Sequence, residues 1–159
     1  MVTVRQVGQP GDLGWMVERH GTLYAREYGW DFTMEALIAR IVADFAADHD
    51  PARERGWIAE VDGERAGAIY CVRKADDVAQ LRLLFVESWA RGLGIGSKLV
   101  DTCIRFARSR GYRQMVLWTN SSLGSARRIY EAAGFVQTKE EPHPVFPKGT
   151  VAQELWLDL

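Results

Sequence analysis

The chain has 159 residues, 47% of them hydrophobic and 26% charged, with a formal net charge of −1. That length suits one domain spanning 1–159, and the composition excludes the polar, highly charged class of disordered chains. The near-zero charge gives no global reason to bind nucleic acid or a membrane, no apolar run reaches the length of a membrane span, and the first residues lack the apolar stretch of a signal peptide, so a cytoplasmic protein is expected.

VTVRQV (2–7) alternates like a half-buried strand, and PGD breaks it, with Asp12 near a helix start. Leu13, Met16, Val17, His20, Leu23, Tyr24 and Tyr28 then recur at helical spacing, predicting a helix over 12–28 that Gly29 ends. Asp31 or Thr33 can cap a second helix, with Leu37, Ile38, Ile41, Val42 and Phe45 as its stripe, before Pro51. Residues 57–74 form two strand-like runs joined at Asp62-Gly63, a hairpin signal. A strand over 78–88, a helix over 97–110, a strand over 112–118, a helix over 122–134 and strands over 135–140 and 151–159 complete the order β-α-α-β-β-β-α-β-α-β-β.

Cys71 falls in a strand and Cys103 in a helix, so both read as small buried hydrophobes, and no disulfide framework is expected. His20, His49 and His143 have no ligand-like spacing, so no metal is expected.

The most informative stretch is RGLGIG (91–96), between the apolar run LRLLFV (81–86) and a helix. A glycine turn feeding a helix leaves unpaired N–H groups at the positive end of the helix dipole, where phosphate binds. Glycine at 92, 94 and 96 is expected to take positive φ and to let phosphate oxygens approach the amides, with Arg91 adding charge. The Walker pattern fails because Gly96 is followed by Ser97-Lys98, and the dinucleotide fingerprint fails because Ser97 stands where its third glycine or alanine belongs.

The stretch instead resembles the GNAT acetyltransferase superfamily, whose signature is Q/R-x-x-G-x-G/A between its fourth strand and third helix. Asn120 followed by ARRIYEAAGF (126–135) is similar to a second segment of that family, N…A-x-x-x-Y-x-x-x-G-F. The resemblance covers nearly the whole chain and implies a mixed, mostly antiparallel α/β sheet with flanking helices. It further implies acetyl-CoA as co-substrate, held between the fourth and fifth strands. Leu84, Phe85 and Val86 would pair with the pantetheine arm, residues Arg91, Gly92, Leu93, Gly94, Ile95, Gly96 and Ser97 would take the pyrophosphate, and Asn120 would hydrogen-bond the pantetheine. From the residues alone Asn120 reads equally as a turn residue, and Tyr130 as part of a helix core face. RHGTLYAREYGWDFTMEALIARIVADF (19–45) and EEPHP (140–144) look like acetyltransferase domains fused behind MarR-type DNA-binding domains.

Acetyl transfer needs a neutral amine, a donor for the carbonyl oxygen and a proton for the leaving thiolate. The Val86 N–H is the expected donor, and by the resemblance Tyr130 the proton source. The family's strand carboxylate is replaced by Gln80; Glu87 remains as a base acting through water, and the base stays unassigned. His20, Tyr24, Tyr28 and Trp30 are expected to form the acceptor pocket. The implied activity is acetyl transfer to a primary amine of a small molecule or protein, without direct nucleic-acid binding; a homodimer is allowed. The rival is a non-enzymatic acyl-CoA sensor working with a transcription regulator.

Overall fold

A computed structural model describes residues 1–144 and 146–159. The strands are β1 (Val2–Gln6), β2 (Arg55–Val61), β3 (Glu64–Ala75), β4 (Val78–Val86), β5 (Gln114–Asn120), β6 (Val136–Glu141) and β7 (Ala152–Asp158); the helices are α1 (Asp12–Tyr28), α2 (Phe32–Asp48), α3 (Ile95–Ser109) and α4 (Gly124–Ala133). They follow the expected order, with one unforeseen 3-10 turn at Ser88–Ala90.

Local chemistry sets the boundaries. Gly29, at φ 72°, closes α1 by donating its N–H to Ala25 and Tyr24. The Asp31 side chain accepts from the Thr33 N–H and starts α2. Asp62 (φ 51°) and Gly63 (φ 85°) both lie in the left-handed region, as a two-residue hairpin turn requires. Helix α3 begins at Ile95, two residues before the expected start, because Gly94 at φ 75° is its N-cap. Asp12 does not cap α1: Gly11 does, and the Asp12 carboxylate accepts from Arg5, Arg65 and the N–H groups of Gly8 and Gln9. Burial alone would raise that carboxyl, but these four donors hold it well below the usual range and tie β1, α1 and β3 together.

The strands form one sheet in the order β1-β2-β3-β4-β5-β7-β6. Every neighbouring pair is antiparallel except β4 and β5, which run parallel for three residue pairs only, Val78↔Gln114, Ala79↔Met115 and Gln80↔Val116. Helices cover both faces. One core packs α3 and α4 on the sheet through Leu99, Cys103, Ile104 and Tyr130; the other packs α1 and α2 through Met16, Met34, Ile38 and Val42. Cys71 and Cys103 are both buried free thiols within the first core.

Strand β4 is not regular. Leu83 sits at φ 57°, and the register against β3 shifts between Tyr70↔Arg82 and Ala68↔Phe85. A left-handed leucine is a bulge that bends the strand. The bend falls where β4 loses β5, so residues 81–86 and 117–120 leave an opening in the middle of the sheet. Among the described residues, no helix is long and apolar enough to cross a membrane, and no three His, Cys, Asp or Glu side chains cluster as metal ligands would.

Candidate active site

Two clefts meet at the opening, sharing Tyr24, Leu84 and Leu123. The first, of about 310 Å³, lies on the α3–α4 side. Leu84, Phe85, Val86, Arg91, Gly92, Gly94, Ile95, Gly96 and Ser97 all line it, so the structure gathers nearly the whole expected cofactor strip around one space. Leu93 does not line it and is 54% exposed.

The three glycines of the turn serve different ends. Gly92 (φ 83°) and Gly94 (φ 75°) need the left-handed region, and a Cβ at either would meet nothing within 4 Å. That open space is where an anion can approach the first-turn amides of α3. Gly96 corrects the expectation of positive φ: it is a helical residue of α3, and a Cβ there would stand 2.6 Å from Ile129 Cδ1. Its lack of a side chain lets α3 and α4 approach.

Arg91 lies over the cleft but is engaged. Its guanidinium makes a two-pronged bond with Glu27 of α1, both contacts 2.9 Å, and this pairing raises its pKa.

The second cleft, of about 320 Å³, lies on the α1–α2 side and reaches the β6–β7 loop. His20, Tyr24 and Trp30 line it as expected; Tyr28 does not, lining the first cleft beside Arg91 instead. His20 is fully buried, its Nδ1 2.8 Å from the Met16 carbonyl; burial lowers its pKa to about 4, so the ring is neutral, with Nδ1 the donor. Tyr24 packs edge-on against His20 and donates its hydroxyl to the Leu84 carbonyl at 3.3 Å. Trp30 stacks on Phe146, ring centroids 5.6 Å apart.

Tyr130 and Asn120 also line this second cleft. Burial, reinforced by Tyr24 and Cys103, raises the Tyr130 phenol far above its ordinary value, so it keeps its proton at any working pH. Asn120 is occupied as a turn former: its Oδ1 accepts from Ser122 N and Oγ, and its Nδ2 donates to Thr150. Glu87 is neither solvated nor in either cleft; it is buried and held by Arg19 Nε at 2.9 and 3.1 Å. That removes the only carboxylate the sequence offered beside the strand. Residues that sequence reasoning did not single out complete the second cleft: Arg82, Thr119 and Phe146.

A sheet opened between two parallel strands, with a glycine turn and helix N-terminus at its mouth, defines a protein of the acyl-CoA transferase architecture. The chain belongs to the acetyltransferase (GNAT) family, whose model matches residues 17–135. N-acetyltransferase 8 of Rattus norvegicus is 34% identical over 117 residues, which are 70% of this chain and 53% of that protein. The chain spans about half the length, or less, of the curated relatives it matches. Among solved structures, a GNAT-family protein from Desulfovibrio desulfuricans superposes with a TM-score of 0.79 at 18% identity, covering 99% of both chains. The yncA protein of Salmonella typhimurium, solved with its cofactor acetyl-CoA, superposes at 0.75 with 20% identity over 99% of this chain and 94% of that one. At such identities these two establish the fold alone.

Proposed function

We propose that residues 1–159 act as a single acetyl-CoA-dependent N-acetyltransferase domain, moving an acetyl group to a primary amine of a small molecule or protein. The carrying observation is the end of β4–β5 pairing at Gln80↔Val116, which leaves Leu84, Phe85 and Val86 without a β5 partner along the same cleft as a glycine turn in which a Cβ on Gly92 or Gly94 would meet only open space. The first cleft fits the cofactor by its chemistry: a strand edge without a partner for pantetheine amides, and unpaired α3 amides for pyrophosphate.

When bound, acetyl-CoA supplies an activated thioester. The backbone of residues 84–86 aligns its arm, and Arg91 turns from Glu27 towards phosphate. The Val86 N–H donates to the carbonyl oxygen as negative charge develops. As the amine nitrogen bonds to the carbonyl carbon and the carbon–sulfur bond breaks, Tyr130 gives its proton to the departing sulfur. The acceptor nitrogen must arrive neutral or lose its proton to water, because Gln80 is not a base and Glu87 is paired with Arg19. Tyr24, at the junction of the clefts, holds the Leu84 carbonyl and so fixes the rim past which the acceptor reaches.

The missing carboxylate favours one other reading: an acyl-CoA sensor with no turnover, working beside a regulator of the MarR type whose fused acetyltransferase domains segments 19–45 and 140–144 resemble. Monitoring acetyl-CoA-dependent thiol release across a panel of amines separates the two. The transferase reading expects release with at least one amine and none without acceptor; tight acetyl-CoA binding with no release across amines and peptides would favour the sensor.

A further inference from the structure

The second cleft carries a cation and three polar atoms that the fold leaves without partners. His20 Nε2, Trp30 Nε1 and Thr119 Oγ1 are buried and make no hydrogen bond, although their residues are 1%, 6% and 4% exposed. They come from α1, the α1–α2 turn and β5, and their three residues all contribute to the wall of the same cleft. With Nδ1 committed to the Met16 carbonyl, His20 Nε2 offers a lone pair, Trp30 offers an N–H, and Thr119 offers either. An isolated buried polar atom is a defect that costs stability; three on one cleft are what a polar ligand would satisfy.

The cation is Arg82 of β4. It lies partly buried in the cleft wall, and no hydrogen bond or ion pair joins its guanidinium to any described residue. Burial lowers its pKa, and the more distant Asp44 of α2 offsets this only in part. Of the other partly buried arginines, Arg5 and Arg65 pair with Asp12, Arg19 with Glu87 and Arg127 with Glu131, while Arg53 and Arg55 lie over the rings of Tyr112 and Phe106; Arg82 has neither kind of partner among the described residues. A guanidinium taken from water without an anion is costly, and its planar fork fits a carboxylate with two parallel bonds. The surrounding wall is aromatic and aliphatic, with Trp30, Phe146, Leu37 and Ile41, and the volume suits a small molecule.

Resting on the acetyltransferase reading, we propose that the acceptor is a free amino carboxylate with an apolar or aromatic body, its carboxylate held by Arg82 and its amine hydrogen-bonded to His20 Nε2. The body of the acceptor lies against Trp30, and its nitrogen points along the Tyr24 rim to the opening between β4 and β5. Glu141 stands at the exposed edge of the cleft, where it repels acceptors with a second negative charge.

The test compares matched acceptors that differ only in the carboxyl group: phenylalanine, phenylalaninamide and phenethylamine, and leucine with its amide and 3-methylbutylamine. Acetyl transfer and binding by calorimetry are both measured, for the parent, Arg82→Gln and Arg82→Lys, each verified as folded by its melting curve. The carboxylates should exceed their partners in kcat/KM by about 10-fold or more, and Arg82→Gln should bring the ratio to within about threefold through a higher KM for the carboxylates, with Arg82→Lys intermediate. Carboxylate-free amines turning over as well as the acids in the parent, acetylation confined to peptide amino groups, or no binding of any panel member would each overturn the proposal. Amino carboxylates that bind through Arg82 but receive no acetyl group would uphold this site and overturn the transferase reading instead.

Discussion

The two clefts that meet at Tyr24 and Leu84 are made of different materials. The α3–α4 cleft is largely backbone: a bent strand without a partner, two left-handed glycines and the free amides of a helix start. The α1–α2 cleft is side chains, brought by three helices, two central strands and the β6–β7 region. A backbone site demands little of sequence beyond glycine, and it suits a ligand that never changes. A side-chain site can be altered residue by residue, so it is where one member of a family comes to differ from another.

The largest expected effect lies in the side-chain cleft, at Tyr130. Tyr130→Phe keeps the ring against Phe135, 5.9 Å between centroids, and removes only the hydroxyl. With a true acceptor, kcat should fall by about 10²–10⁴ while acetyl-CoA affinity stays near the parent value, measured by steady-state kinetics and calorimetry. Undiminished turnover would return Tyr130 to a packing role.

Acid should distinguish the clefts next, because only the side-chain cleft contains a buried histidine. The folded-state pKa of His20 is depressed from 6.5 to about 4, so the unfolded chain binds its proton first as pH falls. The contribution to stability is fully present above about pH 6.5 and shrinks below it, by roughly 2 kcal/mol at pH 5. Denaturant melts of the parent should lose this amount between pH 7 and 5, and His20→Leu should flatten the dependence. An equal slope in both would mean that His20 meets solvent and takes up its proton in the folded state.

The smallest effect concerns the backbone cleft's one engaged cation. If Arg91 takes the pyrophosphate as proposed, Glu27 competes for it, and the pair is partly exposed, with side chains 45% and 24% accessible. Exposed pairs contribute about 0.2–1 kcal/mol, so Glu27→Gln should tighten acetyl-CoA binding by about 1.4-fold to fivefold by calorimetry. Weaker binding would assign the ion pair to organising the cleft rather than obstructing it.

The same contrast explains what the sequence made legible. Helix α1, the Asp62-Gly63 hairpin and the 91–97 strip are local: each is announced by glycine, capping residues or periodicity within a few positions. The bulge at Leu83 left no trace, because leucine carries no preference for φ 57°. Arg82 looked like any strand arginine until it proved to have no ion pair among the described residues, and Phe146 met Trp30 across more than a hundred residues. Tyr28 shows the limit of helical spacing. Each step of four residues overshoots a full turn by about 40°, so between His20 and Tyr28 the face rotates by roughly 80°, enough to move the second tyrosine into the other cleft.

The division of labour between the clefts is tested most directly by amide hydrogen exchange with and without acetyl-CoA. Binding as described slows exchange in residues 84–86 and 92–98 and leaves the α2 segment 34–42 at its unliganded rate, even though α2 lines the neighbouring cleft. Protection centred on 34–42, with the glycine strip unchanged, would place the cofactor on the wrong side of the sheet and contradict the account.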